Sequence, residues 1–542
     1  MTTEATTGAA RFIADGQLPP DTWGAMRIDA RSDGLWAEFP DPDHQGPGNR
    51  PSIQRPLALI TGSHHQQVLW YETGRGRVLG RFPLTYLIAQ RRWVPRGAAF
   101  LQPPAPVFLP GAGQWNQVCI SCHTTRGQAR VPSMYVRMTP ETMAADSRVG
   151  EFGVACEACH GPAGAHADAP RAVPMPNPRR LDPRRSAEVC GQCHSVWEWH
   201  DTSGEQAENA EGPRFRPGDE LARTRFVAQP GREPGAARLR QLLEDDPGFV
   251  REAFWPDGTI AVAGREYNGL IESACFVRGG TPARTMSCVS CHALHQEQGD
   301  TRDARVWADD QLSTSGAGDG ACLTCHPGMR AGRAAHTRHA EGSPGSQCVN
   351  CHMPHTTYGL LKTVRSHRIT SPDARVALET GRPDACSLCH VDKPLAWTAR
   401  HLTSWYSRPA PAAGAPGVAD DVPAAIRWAL SGDAQQRAVA AAALGRADGS
   451  GADAWTIPAL ALLLDDPYPA VRFIAARSLR VRWPAAAPGY DFLASRETRR
   501  AASRQVQLAW RTRPGVVGAR VPETVFDELA SRRDDRPVAL RE

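Results

Sequence analysis

The sequence contains no run of about 18 apolar residues, the length that a membrane-spanning helix needs. Its opening segment, MTTEATTGAARFIADG, also lacks a basic stretch followed by an apolar one, which is the pattern of an export signal. The chain as printed is therefore predicted to carry neither a membrane anchor nor a signal peptide.

Large apolar side chains are also scarce. Aromatic residues make up only 7% of the 542 residues, whereas glycine and proline number 49 and 46. The length allows about three domains and a large core, but this composition predicts much turn and loop. Material other than side chains is expected to contribute to the core.

Lysine is nearly absent, since it occurs only as Lys362 and Lys393, and most of the positive charge is arginine. No stretch interleaves basic and aromatic residues as nucleic-acid-binding surfaces do. Despite the formal net charge of +5, nucleic acid is therefore not an expected partner.

Fourteen of the fifteen cysteines belong to a motif that occurs seven times, Cys-x-x-Cys-His. A single copy could be a chance match, a zinc knuckle or a thioredoxin-like redox pair. Zinc sites, however, pair two Cys-x-x-Cys halves without a fixed histidine, and disulfide frameworks belong to short chains. The motifs are Cys119-Cys122-His123, Cys156-Cys159-His160, Cys190-Cys193-His194, Cys288-Cys291-His292, Cys322-Cys325-His326, Cys348-Cys351-His352 and Cys386-Cys389-His390.

Seven such motifs predict seven covalently attached haems of the c type. The two thiols of each motif add across the vinyl groups of a haem, and the adjacent histidine is the proximal ligand of the iron. The haem faces would supply the missing apolar bulk, and their propionates would make the loaded protein acidic and pair with the many arginines.

The spacing of the motifs divides the chain. Residues 1–110 contain no motif and read as a β-rich lead-in, including the strand HQQVLWYE at 65–72 and a turn at Gly74 and Gly76. Residues 111–407 are predicted to form the heptahaem domain. Its motif-free gap, 201–287, contains a predicted helix at 236–246 and a predicted strand, TIAVAGREY, at 259–267. The densest part is 321–367, with two motifs and four further histidines.

A Pro/Ala/Gly linker at 408–418 precedes a predicted helical repeat domain at 419–542. DAQQRAVAAAALGR (433–446) recurs as DPYPAVRFIAARSLR (466–480), with Arg437 matching Arg472 and Leu444 matching Leu479. The 35-residue period is typical of an α-solenoid of the HEAT type. An alanine-rich helical cap on the haem domain is the alternative. Few contacts are expected to cross the linker.

Several stretches together, GSHHQQVLWY, CISCHTT, CEACHGPAGAH, MSCVSCHALH, CLTCH, SQCVNCHMP and RPDACSLCH, resemble the multihaem cytochromes c related to the nitrifiers' tetrahaem cytochrome and the pentahaem nitrite reductases, in particular those with C-terminal TPR or HEAT repeats. The resemblance covers roughly residues 57–480. It implies a haem-stapled fold of helix and loop, mostly bis-histidine irons and a periplasmic or other extracytoplasmic location. The Cys-x-x-Cys-Lys motif of the nitrite reductases is absent, as is the further motif that such proteins usually carry nearer the N-terminus.

Positions within the resembling motifs imply which histidines serve as distal ligands. His166, His295, His339 and His367 are the first candidates, followed by His64 or His65. The loop before Cys348 should carry His339 to a neighbouring iron rather than to its own. His336 and His355 are undecided between ligand and surface residue. The remaining non-motif histidines, His44, His200 and His401, are expected to be solvated.

Two other residue types offer alternatives. A methionine ligand from Met134, Met138 or Met143 would raise the potential of its haem, although scattered methionines are usually core residues. Cys275, outside any motif, is expected to be a buried free thiol.

The expected function is electron relay through seven haems. A redox partner protein is expected, with the helical repeats as a docking surface. One alternative is an oxidoreductase acting on a small nitrogen or sulfur oxyanion at an iron without a distal ligand. Another is a structural or assembly subunit of a redox complex.

Overall fold

The structure is a computed structural model that describes residues 2–5, 26–42, 44, 49–104, 112–134, 144–411, 421–447, 452–513 and 521–541. Met138, Met143 and most of the 408–418 linker lie outside these residues. The described chain forms two compact units. Unit 1 comprises Met1–Arg96, Pro106–Val227 and Thr285–Thr314, and unit 2 comprises Gly97–Ala105, Ala228–Arg284 and Ser315–Glu542.

The strands are β1 (Thr2–Glu4), β2 (Arg27–Arg31), β3 (Gly34–Pro40), β4 (Ser52–Thr61), β5 (Gln66–Glu72), β6 (Leu79–Leu87), β7 (Arg92–Pro95), β8 (Thr124–Thr125), β9 (Glu151–Phe152), β10 (Trp197–Glu198), β11 (Phe226–Val227), β12 (Thr357–Gly359) and β13 (Lys362–Val364). The helices are α1 (Ile120–His123), α2 (Cys156–His160), α3 (Gly164–Asp168), α4 (Pro183–Gly191), α5 (Thr202–Glu211), α6 (Ala237–Asp245), α7 (Glu266–Glu272), α8 (Ala274–Val277), α9 (Ala304–Asp310), α10 (Gly320–Cys325), α11 (Met329–Thr337), α12 (Cys348–His352), α13 (Ala374–Thr380), α14 (Leu395–Tyr406), α15 (Ala424–Ser431), α16 (Ala434–Arg446), α17 (Asp453–Leu463), α18 (Pro469–Arg482), α19 (Arg496–Thr512) and α20 (Glu523–Ser531).

The N-terminal part of unit 1 is an antiparallel sheet in the order β2-β3-β4-β5-β6-β7, with β1 added beside β4. Every residue of β6 is buried, and Phe39, Phe82 and Trp93 pack their rings edge to face or tilted in the core. Gly74 and Gly76, both with positive φ, form the β5–β6 turn, because glycine adopts this backbone region without steric cost. The predicted β-rich N-terminal segment is confirmed.

The rest of unit 1 and the first part of unit 2 consist of short helices joined by loops, as the glycine and proline content predicts. The helix predicted at 236–246 is confirmed as α6. The strand predicted at 259–267 is wrong. Ile260 and Val262 make only isolated bridges, to Phe254 and Tyr358, and α7 begins at Glu266. The Glu266 carboxylate accepts a hydrogen bond from the Gly264 amide, so the chain turns into a helix before a ladder can form.

The C-terminal part of unit 2 is helical, and both copies of the sequence repeat are helices, α16 and α18. The matching arginines are both buried and both bind Asp466. Arg437 donates to the Asp466 carboxylate from Nε at 2.7 Å, whereas Arg472 donates to its backbone carbonyl at 2.7 Å. Buried guanidinium groups need such hydrogen-bond partners. Both copies of the repeat are therefore held to the connection between α17 and α18, where Asp466 lies.

The expectation that few contacts cross the linker is wrong. Helix α16 lies against strand β13 and against the turn that follows α13. Gln436 donates to the Gly381 carbonyl at 2.6 Å, and Arg446 donates to the Thr363 hydroxyl at 3.1 Å. The repeats and the last three motifs therefore share one compact unit. Among the described residues, no helix combines the length and apolar character that crossing a membrane would require.

Candidate haem sites

Six of the seven motifs lie on or at the end of a helical turn, which places two cysteines three residues apart on one side of the backbone. The motif at Cys386–His390 forms hydrogen-bonded turns, in which the His390 amide donates to the Cys386 carbonyl at 2.7 Å. All fifteen cysteines are described, and none forms a disulfide. Both thiols of every motif are thus available for covalent attachment.

A thiolate metal site fits this arrangement poorly. Among the described residues, no three His, Cys, Asp or Glu side chains converge as metal ligands. Burial raises the pKa of Cys159 and Cys351 to about 11. Each Cys-x-x-Cys pair is followed by a fixed histidine rather than by a second Cys-x-x-Cys half, which favours covalent attachment of haem over a zinc site.

Backbone carbonyls orient three of the motif histidines. Nδ1 of His160, His292 and His352 lies 2.8, 2.8 and 2.9 Å from the carbonyl oxygens of Pro176, Asp310 and Thr370. A carbonyl oxygen can only accept, so Nδ1 carries the proton and Nε2 holds the lone pair. This is the tautomer and ring orientation found for histidine that binds a metal through Nε2.

Three motif histidines, His160, His352 and His390, each face a second imidazole. The centroids of His160 and His295 lie 6.4 Å apart with planes 19° apart, those of His336 and His352 lie 6.3 Å apart with planes 5° apart, and those of His339 and His390 lie 5.9 Å apart with planes 30° apart.

These spacings match two imidazoles on opposite sides of one metal. The ligating nitrogen lies about 2.0 Å from a metal, and the ring centroid lies about 1.15 Å beyond the nitrogen. Two such rings therefore have centroids about 6.3 Å apart. Direct stacking would bring the rings much closer, so the gap fits an iron between each pair.

The pairs place two of the predicted distal candidates, His295 and His339, beside proximal histidines of other motifs. His336, undecided from the sequence, stands beside His352 in the same way. His336 and His339 are only three residues apart, yet they face different motifs. No sequence signal separates His336 from His355, because the difference depends on which ring the end of α11 brings toward α12.

The other predicted candidates show mixed geometry. His166 and His367 donate from Nδ1 to the carbonyls of Val173 and Arg365 at 2.6 and 3.2 Å, the tautomer that suits ligation. His65 lies with Nε2 3.1 Å from the Asp309 carboxylate, whereas His64 contacts Ser63 through Nδ1. Of the pair His64 and His65, the geometry therefore favours His64 for ligation through Nε2.

The histidines expected to be solvated differ from one another. His200 uses Nε2 to donate to the Ala222 carbonyl at 2.7 Å, which removes that atom from ligation. The prediction that His401 is solvated is wrong, because this residue is half-buried between Trp397 and Trp405. The centroid of its ring lies 4.4 Å from that of Trp397 and 4.5 Å from that of Trp405. Met134, a possible ligand from the sequence, donates its backbone amide to the Glu205 carboxylate at 3.0 Å. Cys275, predicted to be a buried free thiol, is half-buried and forms no disulfide.

His326 differs from the paired motif histidines. All eighteen histidines lie among the described residues, and none stands beside His326 at the spacing of the three pairs. Its side chain is exposed. His326 nevertheless lies near His352. Burial is the main cause of the lowered pKa of His352, and His336 and His326 lower it further.

The motifs of each unit lie close to one another. In unit 1 the Cys122 sulfur is 4.0 Å from the Cys193 carbonyl, and the Cys190 thiol contacts both Cys159 and Cys288 electrostatically. In unit 2, burial is the main cause of the raised pKa of both Cys351 and Cys386; the nearby Cys389 raises the pKa of each further, and Cys351 also raises that of Cys386. The motif at Cys190–His194 is thus the central one of unit 1, and the motif at Cys348–His352 is the central one of unit 2.

Basic side chains surround the last motifs. Arg365 donates to the carbonyls of Val349 and Met353, at 2.9 and 3.3 Å, and so braces α12. Burial lowers the pKa of Arg446 to about 10, and the nearby Arg365 and Arg477 lower it further. Such a concentration of guanidinium groups suits the carboxylates of a haem edge.

Comparisons with known proteins add only weak similarities. No protein-family model and no curated protein matches the chain. One similar solved structure is an outer cell wall cytochrome, OcwA, with 18% identity and a TM-score of 0.41 over 83% of this chain and 88% of that one. Another is an undecahaem cytochrome from the S-layer of Carboxydothermus ferrireducens, with 16% identity and a TM-score of 0.29 over 71% of this chain and 60% of that one. At these values neither similarity assigns a function.

Proposed function

We propose that this chain is a multihaem c-type cytochrome that relays electrons through seven covalently attached haems. The observation that carries the proposal is the set of three imidazole pairs, because a spacing of about 6.3 Å leaves room for one iron in each. A bound haem supplies one-electron chemistry.

The residues of the chain hold and tune that chemistry. The cysteines fix each haem covalently, and His160, His292 and His352 are oriented by Nδ1–H donation to backbone carbonyls. An iron with imidazoles on both faces is closed to other ligands, so it exchanges electrons without binding substrate. The proximity of the motifs within each unit would let electrons pass between neighbouring haems.

The proposal is tested by mass and spectrum. Protein produced with a haem-attachment system should gain the mass of seven haems, and this increment should survive denaturation and acid-acetone extraction. Fewer than six haems per chain would overturn it. We also propose an extracytoplasmic location, since attachment of this kind takes place outside the cytoplasmic membrane in bacteria, and fractionation of the native host tests it.

The helical repeats are proposed to be of the HEAT type and to dock a redox partner. Helix α19 exposes Arg496, Arg500 and Arg504 at four-residue spacing. Arg500 pairs with Asp465 at 2.9 Å, so the basic character of this face comes from Arg496 and Arg504. An acidic partner surface would complement it, and binding should weaken as salt rises. Charge reversal by Arg504→Glu should weaken binding several-fold, whereas salt-insensitive binding would contradict this docking site.

His326 favours a second candidate function, reduction of a small nitrogen or sulfur oxyanion at an open iron. Native reduced protein should then bind one carbon monoxide per chain. The double variant Cys322→Ser/Cys325→Ser should lose that binding and keep six haems. The matched control Cys156→Ser/Cys159→Ser removes the haem of a paired motif and should keep it. Turnover of nitrite or hydroxylamine at about 1 per second or faster would favour enzyme over carrier.

A further inference from the structure

Helix α14 carries four aromatic side chains that form a continuous row. Trp397, His401 and Trp405 are four residues apart, so they lie on one face of the helix. Their ring centroids are 4.4 and 4.5 Å apart in sequence order, and Trp405 lies 6.2 Å from Tyr406. We call Trp397, His401, Trp405 and Tyr406 the α14 stripe.

Each end of the α14 stripe contacts an imidazole of a candidate haem site. At one end, the Trp397 ring lies 4.7 Å from that of His390. At the other, the Tyr406 ring lies 5.9 Å from that of His336, and the Tyr406 hydroxyl donates to the His336 backbone carbonyl at 2.5 Å. The stripe therefore reaches two histidines that belong to two different imidazole pairs.

The two pairs are also joined by the chain itself. His336 faces His352, and His339 faces His390. At the end of α11, His336 and His339 lie three positions apart in the sequence. The turn between them contains Arg338 in the left-handed region, with a φ of 60°. This turn lets neighbouring residues face different motifs. The His339 ring is oriented locally by its Nδ1 contact with the Thr337 carbonyl at 2.6 Å, whereas the contact to His336 comes from α14.

We propose that the α14 stripe is a positioning element shared by two haems, in which Trp397 fixes the plane of the proximal His390 and Tyr406 fixes the distal His336. The inference rests on the proposed function. The groups around a metal-bound histidine set its orientation. The angle between two axial imidazole planes in turn sets the splitting of the iron orbitals, so a lost contact should be visible spectroscopically.

The experiment uses full-length, haem-loaded protein and a conservative substitution. Tyr406→Phe removes only the hydroxyl that binds the His336 carbonyl. Tyr490→Phe is the matched control, because the Tyr490 hydroxyl also donates to a backbone carbonyl, that of Leu464, but contacts no histidine pair. Electron paramagnetic resonance of the oxidised protein should show a shift in one low-spin signal for Tyr406→Phe and none for Tyr490→Phe.

Larger substitutions test both ends of the stripe. Tyr406→Ala should leave seven covalent haems but allow about one additional haem per chain to bind carbon monoxide, because His336 is no longer held. Trp397→Leu should alter a different low-spin signal and leave the His336 signal unchanged. If a larger variant does not yield protein with seven haems, the comparison of Tyr406→Phe with Tyr490→Phe decides alone.

The outcomes separate this inference from the proposed function. Native protein with fewer than six covalent haems, or without bis-histidine low-spin signals, overturns the proposed function itself. Native protein that meets both conditions, with Tyr406→Phe and Trp397→Leu spectra identical to it, overturns only the positioning role and leaves the stripe as helix packing.

Discussion

The imidazole planes of His336 and His352 are within 5° of parallel, and their centroids lie 6.3 Å apart. The gap is too wide for direct stacking and has the width of a metal with one nitrogen ligand on each side. The pair His336 and His352 therefore has the geometry of two axial ligands of one iron.

The first prediction concerns this distal ligand. His336→Ala should leave seven covalent haems, because attachment uses only the cysteines, but should open one further iron to carbon monoxide. His339→Ala should do the same at the neighbouring iron. Native protein should bind carbon monoxide at no more than one haem, and imidazole in solution should reverse the effect of each variant.

His200→Ala is the control for these variants, since His200 commits Nε2 to a backbone carbonyl. It should leave the carbon monoxide stoichiometry unchanged. Several open irons in the native protein, or no gain in either alanine variant, would contradict the assigned pairs.

The second prediction concerns haem as core material. Cys348→Ser should lower the soluble yield several-fold, because the haem of this motif would fill space between the loops around α12. Cys275→Ser, the control, changes the only cysteine outside a motif and should keep seven haems and a normal yield. A near-normal yield of Cys348→Ser with six haems would show that the fold does not depend on that haem.

The third prediction concerns the helical repeats. Removing residues 412–542 should make the remaining chain aggregate or lose haem, because α16 contacts the turn at Gly381 and strand β13 at Thr363. The full-length variant Gln436→Ala/Arg446→Ala removes the same contacts and keeps the helices, so it should retain all seven haems with a lowered melting temperature. A soluble truncated chain with the native spectrum would show instead that the repeats are independent.

The fourth prediction concerns pH. Burial raises the pKa of Glu272 to about 6, although Arg368, 3.3 Å away, opposes the shift. A carboxyl group with a raised folded-state pKa stabilises the fold when protonated, so its contribution is present below about 4.5 and is lost as the pH rises through 6. At pH 7.5, Glu272→Gln should therefore stabilise unit 2 by about 1 kcal/mol, a rise of a few degrees in melting temperature.

Glu297→Gln is the control for this effect. Hydrogen bonds from the Thr314 amide and hydroxyl lower the pKa of Glu297, the opposite direction. The same substitution there should give no stabilisation at pH 7.5. A melting temperature of Glu272→Gln that falls at pH 7.5 and rises at pH 4.5 would show that the carboxylate is favourable in the fold.

Local features of this fold follow from the sequence, and long-range ones do not. The motif turns, α6, α16 and α18 depend on spacing within a few residues, and each is present. The stretch at 259–267 has the composition of a strand, but a strand also needs a neighbouring strand to pair with. Here Ile260 forms a single bridge with Phe254, and Val262 forms a single bridge with Tyr358 of β12.

The histidine pairs show the same division. A motif histidine can be recognised from its neighbours in sequence, whereas its partner is chosen by the tertiary fold. His295 follows His160 only after two further motifs, and His336 and His355 flank α12 with no local feature to tell them apart. The aromatic residues of α14 are visible as a helical stripe, but their contacts with His336 and His390 are not.

The position of His336 and His339 ahead of the motifs they face has a consequence for assembly. In the proposed export, the N-terminus would leave the cytoplasm first. Both residues would then emerge before Cys348 and Cys386, so each newly attached haem would meet its sixth ligand at once. The haem at Cys156 and Cys159 would instead wait for His295, with one face open to any histidine that arrives earlier. In the proposed arrangement, mis-ligation during maturation should therefore concentrate at that haem and spare the two that share the end of α11.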